Sequence, residues 1–381
     1  MKIALVVNHD WFFLSHRKEI AQEAVRRGHE VWLIACDTGR RKEIEAMGIR
    51  FKNFPIFATS KNPIRDLYTF LYLVWIYARL LPDVIHHITL KVALWGSLAA
   101  KVVGNHHVVN AIAGFGIAFS DYANPLLRKG IQWMLQLACK SRHFHFILQN
   151  TTDFEQTRLL KLVPDTRLHL INGSGVNLEQ FIPNPSPLNC QLSTVNCQLI
   201  ILLPARMLRD KGVEVAVNAL RKYRDRLYGR VKLVLAGDNN SNNPSVLSDE
   251  ELHSYEEKGY IEWIGFQSDM VSVLQNADIA CLPSFYREGL PKALIEACAC
   301  GLPIITTDRP GCRECVIEGV NGYLVPACDV IALANVIVKM VEHPELLEQM
   351  GRESRKLAEQ KFDVREVVKI HIEIYNELNN N

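Results

Sequence analysis

Short apolar runs alternate along this chain with longer stretches in which apolar residues recur every three or four positions. In the first half the runs are KIALVV, EVWLIA, DVIHHI, HHVVNAIAG and HFILQN. Runs this short and rich in Val and Ile predict buried strands, and the stretches between them predict amphipathic helices. SHRKEIAQEAVRRG is one such stretch, with Ser15 placed as its N-cap and Gly28 as its stop. The pattern breaks at FIPNPSPLNCQLSTVNCQ, residues 181–198, which hold three prolines and no charge and so mark a linker. It resumes with LIILLPA, VKLVLAG, IEWIGF, DIACLPS, LPIITTD and GYLVPA. Strands alternating with helices imply parallel sheets covered on both faces. The expected architecture is therefore α/β, with two Rossmann-like domains facing each other across a cleft. They are placed at 1–180 and 199–360, with the linker at 181–198 and a C-terminal helix, 361–381, packing back toward the first domain. A chain of 381 residues suits two domains.

Charge separates the two halves. Residues 1–180 carry 22 Lys+Arg against 14 Asp+Glu, a balance of +8, and the remainder carries 21 against 27, or −6. The basic half suits an anionic partner such as a lipid surface or a phosphate, although ordinary surface variation gives the same numbers. No aromatic-basic nucleic-acid module is present, so nucleic acid is not an expected partner. The most apolar segment, Leu67 to Pro82, has an uncharged run too short to span a bilayer. It reads as a core helix, with an interfacial helix as the alternative, because Tyr68, Tyr72, Trp75 and Tyr77 suit a headgroup boundary. MKIALVVNHDWFF is too brief for an export signal and reads as a first strand. Ten scattered cysteines without a secreted framework fit a reducing compartment. Cys298, Cys300, Cys312 and Cys315 have a metal-like spacing, but two cysteines at i and i+2 of a helix face apart, so no metal is expected.

Dinucleotide, P-loop and nucleophile-elbow signatures are absent, because the loop after the first run, NHDWFFLSHR, holds no glycine and no G-x-x-x-x-G-K-[ST] or G-x-S-x-G occurs. The informative stretch is DIACLPSFYREGLPKALIEACACG, read as strand, loop and helix. Pro291 is placed in the first helical turn, Gly289 permits close backbone approach, and the helix N-terminus makes an anion seat. Glu288 and Glu296 then flank that seat at about 10 Å, which fits a ligand with a sugar, a diphosphate and a ribose in line. Glycosidase acids sit closer, at about 5–9.5 Å, and need no phosphate seat. The plainer alternative is that Glu296 merely faces Lys292 on a wet helix. Arg206 and Lys211, at the end of the second half's first strand, supply cations for phosphate oxygens. No D-x-D occurs in the chain, so no divalent metal or other cofactor is expected, and cations with a helix dipole can steady a departing diphosphate.

These residues lie in a longer ordered pattern: ARMLRDKG, LAGD, IGF, Glu288-x7-Glu296, GLPIITTDRPGCRE and VNGYLVPACD. In this the second half resembles the donor domain of retaining GT-B glycosyltransferases of family 4. The first half, through NHDWFFLSHRKEIAQEAVRRGHEV, GFGIAF, FILQNTTD and NGSGVNLEQF, resembles the branch that extends polyprenyl-diphosphate-linked sugars in bacterial envelope and glycan assembly. The resemblance implies a GT-B fold and transfer, with retention, from a nucleotide-sugar donor, UDP being the usual base, to a lipid-linked glycan. It also implies roles. Glu296 accepts the ribose hydroxyls, Glu288 faces the donor sugar, and Gly289, Leu290 and Pro291 hold the phosphates with Arg206 and Lys211. Gly265 and Phe266 lie near the base. Ala113 stands where many members carry a histidine, so a contact from that residue to the donor sugar is not carried over.

Acceptor-side candidates are His9, His16 and Arg17, from the loop after the first strand, and Lys91, Asp121 and Gln149, with capping or solvated roles as the alternative for each. A lipid-linked acceptor implies peripheral contact at the inner face of the cytoplasmic membrane through the basic half. Two rival readings are a nucleotide-sugar 2-epimerase of the same architecture and a non-catalytic nucleotide-sugar-binding protein.

Overall fold

The computed structural model describes residues 1–54, 62–116, 125–184, 198–240 and 243–380. They form two compact units, Met1–Gly175 with Val364–Asn381, and Val176–Asp363. Residues 176–184 thus group with the second unit, and the divisions fall a few residues from 180 and 360.

Unit 1 runs β1 (Lys2–His9), α1 (Asp10–His16), α2 (Lys18–Arg26), β2 (Glu30–Cys36), α3 (Arg41–Ala46), β3 (Arg50–Asn53), α4 (Pro63–Leu80), β4 (Val84–Ile88), α5 (Leu90–Val102), β5 (Val108–Ile112), α6 (Pro125–Cys139), β6 (His145–Leu148), α7 (Thr151–Leu159) and β7 (Leu168–Leu170). Unit 2 runs β8 (Leu199–Pro204), α8 (Val213–Lys222), α9 (Arg224–Leu227), β9 (Val231–Ala236), α10 (Asp249–Tyr255), β10 (Ile261–Trp263), α11 (Met270–Gln275), β11 (Ile279–Leu282), α12 (Lys292–Ala299), β12 (Ile304–Thr307), β13 (Gly322–Val325), α13 (Val330–Glu342) and α14 (Glu345–Lys361). α15 (Val364–Asn380) then returns to unit 1, where it packs on α2.

Both sheets are parallel, ordered β3-β2-β1-β4-β5-β6-β7 and β10-β9-β8-β11-β12-β13. Each order reverses once, between β1 and β4 and between β8 and β11. At such a reversal neighbouring connections leave in opposite directions and open a crevice at the carboxyl ends of the strands, where α/β proteins take their ligands. Apolar strand residues fill the cores on both faces. Ile3, Leu5 and Val7 of β1 pack with α2 and α15, while Ala4 and Val6 pack with α4 and α5. A period of two sends neighbours to opposite faces, and burial on both sides is why the strands lack polar alternation.

One sequence expectation fails in the first connection. Ser15 caps nothing, because a helix already begins at Asp10, and the Ser15 hydroxyl donates to the Phe12 carbonyl at 3.1 Å. The helical path breaks instead at Arg17 (φ −139°) and restarts at Lys18. Gly28, with φ +81°, lies just beyond the end of α2 in a conformation that suits glycine.

Candidate functional site

At the strand reversal of unit 2 two loops meet. The first follows β8 and carries Arg206 and Lys211, and the second follows β11 and carries Glu288. They are zipped together by backbone. The Asp210 carbonyl accepts from the amides of Phe285 (3.0 Å) and Tyr286 (3.3 Å), and also from the buried Ser284 hydroxyl at 3.1 Å. That hydroxyl lies 3.0 Å from Glu288 Oε1 as well, while the Thr307 hydroxyl donates to the Ser284 carbonyl. Lys211 Nζ donates to Glu288 Oε1 at 2.5 Å, with side chains only 16% and 12% exposed. Ser245 fixes the same turn from its other side, bonding the Asp210 amide at 3.1 Å and its carboxylate at 2.6 Å.

Two glycines make the approach of these loops possible. Gly212, at φ +78°, sits where a Cβ would lie 2.2 Å from the Pro283 carbonyl oxygen. Gly311, at φ +88°, backs onto the second loop, and a Cβ there would lie 2.3 Å from the Gly289 oxygen and 2.8 Å from the Glu288 oxygen. Both combine a left-handed backbone with a contact that excludes any side chain.

The second loop runs into α12. Pro291 is its N-cap (φ −63°, ψ 117°), one position ahead of the first-turn placement expected from sequence, and the cap makes no side-chain hydrogen bond. A proline ring has no oxygen to offer the first-turn amides, and the Pro291 carbonyl takes the amides of Leu294 (3.0 Å) and Ile295 (3.3 Å), while the positive end of the helix dipole lies at this loop. Leu290 and Pro291 are buried, and Gly289 is half-buried. Glu296, one turn in and 14% exposed, lies 3.6 Å from Lys292 Nζ, so the i,i+4 pair that would arise on a solvated helix is formed. Arg206 is exposed; its carbonyl accepts from the Leu208 amide at 2.7 Å, while its guanidinium makes no hydrogen bond or ion pair among the described residues. Gly265 (φ +65°) accepts from the Gly237 amide at 2.8 Å, and Phe266 projects 69% exposed beside it. A cavity of about 410 Å³ in unit 2 lies elsewhere, lined by Pro183, Asp278, Pro303, Gly351 and Arg355 at the amino ends of the strands. The charged groups and the helix terminus converge instead at the carboxyl ends, where α/β proteins take their ligands.

In unit 1 the strand reversal brings the end of β1 beside the end of β4. The Thr89 hydroxyl bonds Asn8 Oδ1 at 3.3 Å, and Thr89 holds φ 86°, ψ 152°, a region that a β-branched residue rarely enters. His9 lies at this reversal, stacked on Trp11 with ring centroids 5.7 Å apart, and burial lowers its pKa against the opposing pull of Asp10. His16 stacks on Phe12 at 4.2 Å and bonds the Ser15 hydroxyl. Lys91 is paired with Asp66 at 2.6 Å, so its charge is already matched between α5 and α4. Gln149 is buried at the end of β6, and Asp121 lies outside the described residues.

Arg17 departs from its expected place on a ligand-facing loop. It is 2% exposed inside unit 1, and burial pulls its pKa down to about 10. Around it His86 bonds the Tyr375 hydroxyl at 2.6 Å and stacks on His371 at 5.5 Å. The break between α1 and α2 turns the guanidinium inward, which a loop reading could not foresee.

Sequence reasoning also missed Ser284, Asp210 and Gly311 as the parts that fix Glu288 and Lys211. Ser284 and Asp210 act through main-chain atoms as much as side chains, so they carried no compositional signal. Gly311 sits in RPGCRE, where a lone glycine in a turn was the only hint. Of the cysteine set, the Cys298 thiol lies 3.7 Å from the Cys315 carbonyl, and burial pushes Cys298, Cys300 and Cys312 up to about 12. No group of three metal-ligating side chains occurs among the described residues.

A family model described as glycosyl transferases group 1 matches residues 192–357, and one described as glycosyl transferase 4-like matches residues 2–150. The chain is 28% identical to the N,N'-diacetylbacillosaminyl-diphospho-undecaprenol alpha-1,3-N-acetylgalactosaminyltransferase of Campylobacter jejuni, over 96% of this chain and 97% of that one. It is 23% identical to the UDP-Gal:alpha-D-GlcNAc-diphosphoundecaprenol alpha-1,3-galactosyltransferase of Escherichia coli, over 88% and 86%. Among solved structures, Anabaena HepE in complex with UDP-glucose matches all of both chains with a TM-score of 0.77 at 18% identity, a likeness of fold.

Proposed function

This chain belongs to the family-4 GT-B glycosyltransferases, and we propose that it moves a sugar from a UDP-linked donor to a polyprenyl-diphosphate-linked glycan, with retention at the anomeric carbon and without a metal. The observation that carries the reading is the Lys211–Glu288 pair, held by two zipped loops at the strand reversal, with Glu288 in the loop that leads into the N-cap of α12. The relatives named for undecaprenol-diphosphate acceptors, matching over nearly the whole chain, support the acceptor class.

In this reading the first-turn amides of α12, with Gly289 and Leu290, receive the donor diphosphate. Arg206 adds a planar fork and Lys211 a point charge. One ammonium donor of Lys211 goes to Glu288, which leaves two for phosphate oxygens. Glu288 faces the reacting end of the sugar, and Glu296, a turn further on, takes the ribose hydroxyls in exchange for Lys292. Gly265 and Phe266 border the base. The main catalytic term is stabilisation of the charge that builds on the departing nucleoside diphosphate, by groups already fixed before the bond breaks. His9 and His16 are the acceptor-side candidates of unit 1, while Arg17 belongs to its core. A lipid-linked acceptor places the enzyme at the cytoplasmic membrane as a peripheral protein, and no helix among the described residues is long and apolar enough to cross one.

The test is a panel of nucleotide sugars against short-chain polyprenyl-diphosphate saccharides, with nucleoside diphosphate release followed. Acceptor-dependent release from a UDP-sugar, with an α-linked product from an α-linked donor, is expected. Release of a free 2-epimerised sugar without acceptor would replace the reading with the epimerase one.

A further inference from the structure

The chain passes β3, β4, β5 and β6 in one direction across the unit 1 sheet, so right-handed crossovers set α4, α5 and α6 on one face. α5 lies between the other two and packs against both. Each outer helix buries one apolar stripe and turns a second to solvent. In α4, Thr69, Leu73, Ile76 and Tyr77 are buried. Ile64, Leu67, Tyr68, Leu71 and Trp75 are exposed, and they fall within about 100° of the helical wheel. The core reading of this segment accounts for one face, and the other face is turned to solvent.

α6 repeats the arrangement, which the sequence did not disclose. Leu135, Ala138 and Cys139 are buried, whereas Leu126 (78% exposed), Trp133 (66%) and Leu137 (55%) share one line along the opposite side, with Leu127 beside it. The rims are cationic. Arg128, Lys129, Lys140 and Arg142 are exposed on and after α6, which holds no acidic residue. Beside α4, Lys52 and Arg79 lie 5.6 and 5.5 Å from the Trp75 ring centroid. The single carboxylate of α4, Asp66, is neutralised by Lys91. A leucine-tryptophan ridge between cations matches a bilayer interface, with acyl chains for the ridge, headgroup depth for the indoles and anionic headgroups for the rim.

We propose that the paired solvent-facing stripes of α4 and α6 are a two-helix docking surface for an anionic lipid bilayer. The inference rests on the functional reading only for why a bilayer should be near, since the surface itself needs no acceptor or donor.

The experiment measures binding of the full chain to vesicles of phosphatidylethanolamine with phosphatidylglycerol, against vesicles of phosphatidylcholine alone, by flotation. Strong binding to the first and weak binding to the second, declining with salt, is expected. Leu67→Ser with Leu71→Ser on α4, and Leu126→Ser with Trp133→Ser on α6, should each lower the affinity about tenfold or more, and Lys129→Gln about fivefold. All five positions are exposed, so melting temperatures should stay put and turnover on a short-chain acceptor in the absence of lipid should persist. Vesicle binding that survives the α6 pair would overturn the two-helix surface, as would equal binding to both vesicle types. So would a dimer in sedimentation that the α6 pair dissociates without any vesicle binding. Because the vesicles contain no donor or acceptor, a chain that binds them yet transfers no sugar would sink the functional reading alone.

Discussion

Lys211 Nζ lies 2.5 Å from Glu288 Oε1, joining two loops that are 77 positions apart in sequence. Each residue is only slightly exposed, and their two loops are tied by one main-chain carbonyl, that of Asp210, which accepts from the Phe285 and Tyr286 amides and the Ser284 hydroxyl. Glu288→Gln keeps the shape while removing the charge, so transfer should fall on the order of a hundredfold to a thousandfold while UDP still binds. Lys211→Ala should weaken UDP by about tenfold to a hundredfold in calorimetry. Measured turnover equal to that of the wild type in the glutamine variant would remove Glu288 from the reaction.

Gly311 tests whether the backbone behind Glu288 matters as much as its side chain. Gly311→Ala must push a methyl against the Gly289 oxygen in a left-handed backbone, at a cost of about 2 kcal/mol or more. A lowered melting temperature together with a larger loss of kcat than of UDP affinity is expected. If crystallography found the loop undisturbed and kcat intact, the clamp would be dispensable.

Acid should loosen unit 1 from within. His86 and His371 face Arg17 and Tyr375, while His145 faces His169, Arg167 and Glu377. Burial is the main cause that lowers all four imidazoles, to about 3 for His371 and for His145. A folded pKa below the unfolded one means that the unfolded chain takes up protons first. The stability is therefore complete above about pH 6.5 and declines below it, by about 1.4 kcal/mol per pH unit for each extra proton bound. Urea midpoints taken from about pH 7.5 down to about pH 5 should show this fall, and a flat profile would contradict the burial of neutral rings.

If cations and a helix terminus receive the diphosphate, as proposed, transfer should be unaffected by a chelator. An enzyme silenced by EDTA and restored by magnesium would refute the metal-free mechanism.

Much of this was legible in the sequence because it is written in local pattern. Val- and Ile-rich runs gave the strands, and the Glu288 loop with its following helix was plain from Gly289, Leu290 and Pro291. What escaped was either non-local or carried by backbone. The zipper through the Asp210 carbonyl joins segments with no shared periodicity, and a carbonyl has no letter of its own. The outer stripe of α6 escaped because a helix with two apolar sides resembles a buried one until its neighbours are known. Arg17 was misjudged for a related reason, since a charged residue after a strand suggests a ligand loop, and only the break between α1 and α2 turns it inward. Ser15 showed the ordinary capping letter at a position already inside a helical turn.

The last described helix completes the first core. α15 supplies Val367, Ile372, Ile374, Tyr375 and Leu378 to the cluster around β1, while the whole of Val176–Asp363 intervenes. During synthesis on the ribosome, unit 2 therefore has every one of its own parts before unit 1 does. The N-terminal half must wait, with a greasy sheet face and its buried arginine uncovered, for a segment made more than two hundred residues after its first strand. A stop codon or a bulky fusion that displaced α15 would thus damage the part of the protein translated earliest.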